Sequence, residues 1–244
     1  GESFGNYTLG MDSEVLNHVT SANVACGWHA GDPLIMEATV RMCKEKGVAV
    51  GAHPGYPDLM GFGRRAMAVN PGEAKAYMTY QLGALQAFCD SYGVTLQHMK
   101  LHGAFYNTAC VTPALADAVL DGLQAVNPNI AAMVLSGSYI AKEAQRRGIP
   151  VIQEVFADRG YTDEGTLVPR TEPGAFIKDP QEALDRVLMM VKEGKVVTNT
   201  GNTIDIVADS ICVHGDNPEA IAFTKYIREG LTKAGVVVAN FQNR

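Results

Sequence analysis

The sequence predicts a single α/β domain over residues 1–244, built as a parallel β/α barrel, and three observations carry that reading. Short apolar runs alternate with longer helical segments along the whole chain, without a Gly/Ser-rich linker to divide it. Five of the helical segments open with a capping residue followed by proline. Polar side chains stand at nearly every exit of an apolar run. An open sheet concentrates ligand groups near one switch point, whereas a barrel gathers them around one mouth, so the barrel is favoured.

In chain order, His18 falls on an N-terminal helical segment, and residues 23–26 form the first apolar run of strand length. Asp32-Pro33 then starts a helix: the Asp oxygen satisfies an orphan N–H, and Pro needs no donor at the first helical position. Gly47 ends it, because glycine takes the left-handed conformation that closes a helix without a Cβ penalty. The pattern repeats with strand 48–52, Asn70-Pro71 to Gly93, strand 96–99, and a helix from Thr112-Pro113. Strand 131–135, a helix from Tyr139 to Gly148 and strand 151–155 follow. Asp179-Pro180 to Gly194, strand 210–213, and Asn217-Pro218 to Gly235 complete the series. Several of the strands lack polar alternation, as parallel strands covered on both faces do.

Composition narrows the function. A net charge of −6, with no basic run longer than Arg64-Arg65 or Arg146-Arg147, argues against a nucleic-acid partner. Polar residues interrupt every apolar stretch before the roughly 18–20 residues of a membrane span, so no membrane partner is expected. Gly1-Glu2-Ser3-Phe4-Gly5 has neither the basic start nor the apolar stretch of a secretory signal, and a cytoplasmic location is expected. The five cysteines are widely spaced, without a C-x-x-C pair, and read as reduced packing residues rather than a catalytic thiol.

The strand exits carry the chemistry. The first three lead into His29 with Asp32, His53 with Asp58, and Lys100 with His102; later ones lead into Ser136, then Glu154 with Asp158 and Arg159, then His214. Any one histidine near a strand end is more often structural than catalytic, but four at equivalent positions shift that balance. His18 and His98 lack this setting and are read as structural. Asp32 is explained by capping alone, and Asp58 by a turn as well as by catalysis. Lys100 lies two residues before His102 on one face of an extended chain, and a lysine entering an apolar mouth calls for an anionic partner or ligand. The candidate catalytic residues are therefore His29, His53, Asp58, Lys100, His102, Asp158 and His214, and Arg64, Arg65, Glu154 and Arg159 are candidate substrate-binding groups. No nucleotide-binding glycine loop is present.

These stretches resemble the LamB/YcsF family, described as the A component of 5-oxoprolinase: Thr20-Ser21-Ala22-Asn23-Val24-Ala25-Cys26-Gly27-Trp28-His29-Ala30-Gly31-Asp32, Gly51-Ala52-His53-Pro54-Gly55-Tyr56-Pro57-Asp58, Lys100-Leu101-His102-Gly103, Phe156-Ala157-Asp158-Arg159 and Cys212-Val213-His214-Gly215-Asp216. Trp28 and Leu101 depart from the residues usual in the family, Phe and Pro. The resemblance implies a seven-stranded barrel like that of polysaccharide deacetylases. It also implies a first strand of which only Gly1-Glu2 is in this sequence, so a gap in the barrel is expected.

The implied activity is ATP-dependent opening of the 5-oxoproline lactam to L-glutamate, with two partner subunits, B and C. ATP is expected as a co-substrate handled with those partners. The chain is expected to supply the hydrolytic half, with His102 as general acid/base and Lys100 as anion anchor in a fold-sparing position. Two alternatives stay open: a metal-dependent deacetylase-like amide hydrolase, with a divalent ion on His29, His53 and His102 or His214, and a non-catalytic substrate-binding subunit. The oligomeric state is also open, a homo-oligomer included.

Overall fold

A computed structural model describes residues 2–4, 12–213 and 218–241. Along it run the strands β1 (Ser21–Ala25), β2 (Ala49–His53), β3 (Leu96–Met99), β4 (Ala131–Leu135), β5 (Val151–Phe156), β6 (Lys195–Val197), β7 (Thr203–Asp205) and β8 (Ser210–Cys212). Six of them form one curled parallel sheet in the order β1-β2-β3-β4-β5-β8, while β6 and β7 make a separate antiparallel pair. The sheet is a partial barrel. The six parallel strands correspond to the six apolar runs read from the sequence, and β1 and β8 are the sheet's open edges among the described residues.

The helices are α1 (Asp12–Val15), α2 (Pro33–Lys46), α3 (Pro71–Tyr92), α4 (Gly103–Val111), α5 (Pro113–Val126), α6 (Tyr139–Arg146), α7 (Pro180–Glu193) and α8 (Pro218–Lys233). Their starts follow local chemistry. Asp32 Oδ1 accepts from the N–H groups of Leu34 and Ile35, Asn70 and Glu73 form a reciprocal capping box, and Asp179 accepts from Glu182 N–H. Thr112 departs from the expectation: its side chain makes no cap hydrogen bond, and the residue both closes α4, through its N–H to Thr108 O, and opens α5. Asn217 lies outside the described residues. Gly47, Gly93 and Gly194 end α2, α3 and α7 in the left-handed conformation.

The inner strands of the parallel sheet bury most of both faces. All five residues of β4 are buried, and Val50, Met99 and Val155 join Leu82, Leu85, Val119 and Leu123 from the helices in one core. α3 and α5 cross closely at Gly122, where an added Cβ would stand 2.6 Å from Met78 Cβ and 2.9 Å from Lys75 O. α7 and α8 enclose a second cluster built on Leu184, Val187, Ile227 and Leu231. No single helix among the described residues is long and apolar enough to cross a membrane.

Register determines what the barrel presents at its mouth. Ala25 of β1 is level with His53 of β2, and Ala52 of β2 with Met99 of β3. Residues leaving these strands therefore emerge at one height.

Candidate functional site

Three strand exits bring their histidines together. The chain leaves β1 through a turn to His29, β2 ends on His53 itself, and β3 is followed by Lys100 and His102. His29 and His102 stack with ring centroids 3.7 Å apart and planes within 3°. His53 stands edge-on to both, at 5.5 and 4.8 Å. Such close packing needs backbone without side chains around it. A Cβ on Gly63 would lie 2.8 Å from His102 Cδ2 and 2.9 Å from His29 Cβ.

Hydrogen-bond partners assign the protons. A backbone carbonyl only accepts, so His53 donates from Nδ1 to Lys100 O at 2.7 Å, and His102 donates from Nε2 to Phe62 O at 2.7 Å. In the neutral rings the bare nitrogens are then His53 Nε2 and His102 Nδ1, and these face each other at 3.0 Å. Neither His29 nitrogen reaches a hydrogen-bond partner among the described residues, although that side chain is only 1% exposed. Glu2 Oε1 lies 3.6 Å from His29 Nε2 and 3.8 Å from His102 Nδ1, beyond hydrogen-bond length.

Burial drives the His53 pKa well below its ordinary value, and His102, His29 and Lys100 depress it further. Burial followed by His29 brings His102 down to about 3, against the opposing pull of Glu2. Burial works against ionisation of Glu2, but the contact with His29 and the charges of His102 and His29 outweigh it and lower the carboxyl to about 2. With His53 and His102 neutral beside the ionised Glu2, the cluster is rich in lone pairs. One donor atom from each of Glu2, His29, His53 and His102 falls within 4.8 Å of all the others, so these residues could hold a metal ion.

The loop between β2 and α3 holds His102 from above. Asp58 accepts from Gly61 N–H at 2.9 Å and binds the Arg65 guanidinium through Nε at 2.9 Å, with Nη2 closer still. Within that loop Phe62 has a φ of 53°, a left-handed conformation uncommon for a bulky residue, and its carbonyl is the one that receives the His102 proton. Asp58 and Arg65, expected as a catalytic and a substrate-binding group, thus pair with each other to close the loop, and neither lines the cavity. Arg64 does line it, with its guanidinium 5.1 Å from the centre of the Phe62 ring.

Across the cavity the chemistry is ionic. Lys100 Nζ lies 2.5 Å from Glu154 Oε1 and 3.1 Å from Cys212 Sγ, and Tyr106 donates to Glu154 Oε2 at 3.1 Å. Burial opposes the charge on Lys100, but Cys212 and Glu154 override it and hold the ammonium above its ordinary range. Lys100 is 5% exposed and its partner Glu154 1%, which alters the expectation of a fold-sparing position: removing the lysine would strand a buried carboxylate. Arg159 is also buried. It donates to the carbonyls of Ala175 and Val168 and makes no ion pair with a carboxylate among the described residues. Burial, then neighbouring Arg170, lower its pKa, and both guanidinium groups lie against the Phe176 ring at 5.1 and 5.2 Å.

Together these groups enclose a cavity of about 250 Å³ lined by Glu2, His53, Arg64, Lys100, His102 and Arg159, with His29 and Glu154 behind that wall. Asp158 is half-buried and does not line it; its carbonyl accepts from Ile177 N–H. His214 lies outside the described residues. Glu2, Phe62, Tyr106, Arg170 and Cys212 were not singled out from the sequence. Tyr106 had a signal, since it falls one helical turn after His102; Cys212 was read as packing, yet it touches Lys100 with its thiol pushed up to about 12 by burial.

The LamB/YcsF family matches residues 1–244. This chain belongs to it. The A component of 5-oxoprolinase from Fusobacterium nucleatum is 62% identical over 238 residues, 98% of this chain and 93% of the relative. Its counterpart from Pyrococcus horikoshii is 53% identical over the same shares. The crystal structure of a lactam utilization protein from Thermus thermophilus superimposes with a TM-score of 0.92 at 44% identity, covering 98% of this chain and 96% of that one. In this LamB/YcsF chain one cavity joins buried imidazoles to buried cations. Such a site can polarise a carbonyl, move a proton and hold an acid's negative charge.

Proposed function

We propose that this chain is the hydrolytic subunit of an assembly that opens the lactam of 5-oxoproline to L-glutamate, with ATP coupled through partner subunits of the B and C kind. The observation that carries the reading is the two-sided cavity: neutral imidazoles face one wall, and Lys100 and Arg159 the other. The names of the Fusobacterium, Pyrococcus and Thermus relatives support the substrate class. Its volume is below the 300–1,000 Å³ of drug-sized pockets and suits a small acid.

An unstrained amide is a poor electrophile, and phosphorylation of its oxygen, supplied by the partners, makes it reactive. Arg159 and Arg64 hold the substrate carboxylate, and Lys100 faces the charge that develops on the amide or phosphoryl oxygen. His102 Nδ1 or His53 Nε2 accepts the proton of the attacking water, and the same nitrogen returns it to the departing ring nitrogen; the phosphoryl group stays on the new carboxyl until a second water releases it as inorganic phosphate. The hydrogen bonds to Lys100 O and Phe62 O keep the opposite ring nitrogens protonated, so each imidazole offers its lone pair to the cavity.

The test is glutamate release from 5-oxoproline by the chain reconstituted with candidate partners, with and without ATP. ATP-dependent release by the assembly, and little by the isolated chain, is expected. Robust turnover by the isolated chain without ATP would instead support a metal-dependent amide hydrolase, a second reading favoured by the histidine cluster with Glu2. Unchanged turnover in His53→Ala and His102→Ala assemblies would assign the chain a substrate-binding role alone.

A further inference from the structure

We infer that Glu2, His29, His53 and His102 form a binding site for one divalent transition-metal ion of the zinc class, in which His53 coordinates through Nε2 and His102 through Nδ1. The inference does not depend on the substrate proposed above, but with an ion bound the two lone pairs are no longer free to accept a proton, and activation of the attacking water passes from the rings to the ion they hold. It begins with an electrostatic conflict. Both rings spend their N–H on a backbone carbonyl, so two lone pairs are pointed at each other across 3.0 Å. Neither can donate to the other. Two acceptors at that distance repel unless a cation lies beside both, and Glu2 supplies negative charge at 3.6 and 3.8 Å from the neighbouring ring nitrogens.

The carbonyl partners have a second meaning. Histidines that bind metals almost always donate their other ring N–H to a carbonyl or carboxylate, which fixes the tautomer and aims the free nitrogen. His53 and His102 both show that arrangement, through the Lys100 and Phe62 carbonyls. His29 adds a nitrogen pair without a hydrogen bond among the described residues in a side chain that is 1% exposed, a costly state that coordination would relieve. Around a tetrahedral ion with bonds of about 2.0–2.1 Å the donors stand roughly 3.3 Å apart. Distances of 3.0, 3.6 and 3.8 Å within the cluster bracket that spacing.

One feature must move. The His29 and His102 rings are parallel, and parallel rings cannot both aim an in-plane lone pair at one point between them. His102 is held by Phe62 O whereas no hydrogen bond holds His29, so His29 is the ring that tilts. The donor set selects the ion: imidazoles with one carboxylate suit zinc, cobalt or nickel, whereas calcium and magnesium take oxygen ligands.

The experiment is calorimetric titration of the chelator-treated whole chain with Zn²⁺, with Co²⁺ visible absorption as a second readout and no substrate present. Wild-type protein is expected to bind one ion per chain, and Co²⁺ to give the bands of a low-coordinate nitrogen and oxygen site. Glu2→Gln and His53→Ala should each weaken binding by at least about 10- to 100-fold, and His18→Gln should leave it unchanged, with folding checked by circular dichroism. Absence of stoichiometric binding to folded wild-type chain overturns the inference, because the lone pairs would then be reconciled by a shared proton. Equal binding by wild type, Glu2→Gln and His53→Ala overturns it as well. Failure of 5-oxoproline turnover bears on the proposed reaction and not on this site.

Discussion

His98 and His102 lie four residues apart on either side of the end of β3; both are buried, and both have pKa values brought down to about 3. Their surroundings differ in one respect. His98, inside the barrel, meets side-chain amides: Asn23 at 2.8 Å and Gln97 at 3.2 Å. An amide can turn either its oxygen or its NH₂ group to the ring, so a neutral His98 can be satisfied on both nitrogens. At the mouth His102 meets a carbonyl on one side and another histidine's bare nitrogen on the other. Burial and pKa therefore do not separate His98 from the candidate catalytic His102, while the chemistry of their partners does.

The largest test of that contrast is kinetic. His102→Ala should lower turnover of the reconstituted assembly roughly 10²- to 10⁴-fold with little change in the fold. His98→Ala should do the reverse, leaving turnover per folded chain close to wild type while the amides it orphans cost about 1–3 kcal/mol by urea unfolding. Comparable kinetic defects in the two variants would erase the distinction.

Next in size is the Lys100–Glu154 pair, which shares the depth of His98 and faces the site like His102. Lys100→Met leaves Glu154 buried without a counter-charge and should cost about 3–5 kcal/mol. Adding Glu154→Gln should recover most of that stability but not the activity. If the double variant is as unstable as the single one, the pair is not the source of the loss.

Gly51→Ala probes the structural histidine from the opposite side. The new Cβ would fall 2.0 Å from His98 Nε2, so a destabilisation of about 1–3 kcal/mol is expected from overpacking, with the mouth unchanged. Wild-type stability in this variant would mean that His98 is free to move away.

The smallest effect is the pH dependence that His98 adds. Burial, assisted by Lys100, lowers its folded-state value from 6.5 to about 3, so it stays neutral when folded but takes up a proton when unfolded. Its contribution to stability is then complete above pH 6.5 and declines as pH falls toward about 3. Urea midpoints for wild type and His98→Asn should converge as the pH is lowered from 7 through that window. Parallel pH profiles would place His98 in a solvated setting.

Much of the fold was legible because its punctuation is local. A capping oxygen before proline and a glycine after the last turn act within a few residues, and they marked α2, α3 and α7 at both ends. α4 escaped because it starts at Gly103 with no side-chain cap, and the β6–β7 pair because each strand is three residues long. Within the site, the placement of His29, His53 and His102 at or just beyond three successive strand ends was visible in the sequence, although their offsets from those ends differ. The pairing of Asp58 with Arg65 and the carbonyls that orient the rings were not, since a loop conformation and backbone acceptors leave no residue-type signature. Glu2 and Arg170 belong to irregular segments that carry no period from which a direction could be read.

Phe62 gives the loop a conflict of interest. Its left-handed backbone costs on the order of 1–3 kcal/mol, which glycine would not incur. Its ring, however, stands edge-on to His29 at 5.5 Å and to His102 at 5.0 Å, forming the wall against which the stacked pair rests. Phe62→Gly would therefore ease the backbone and remove the wall in the same stroke, so this one residue sets the comfort of the loop against the order of the stacked rings.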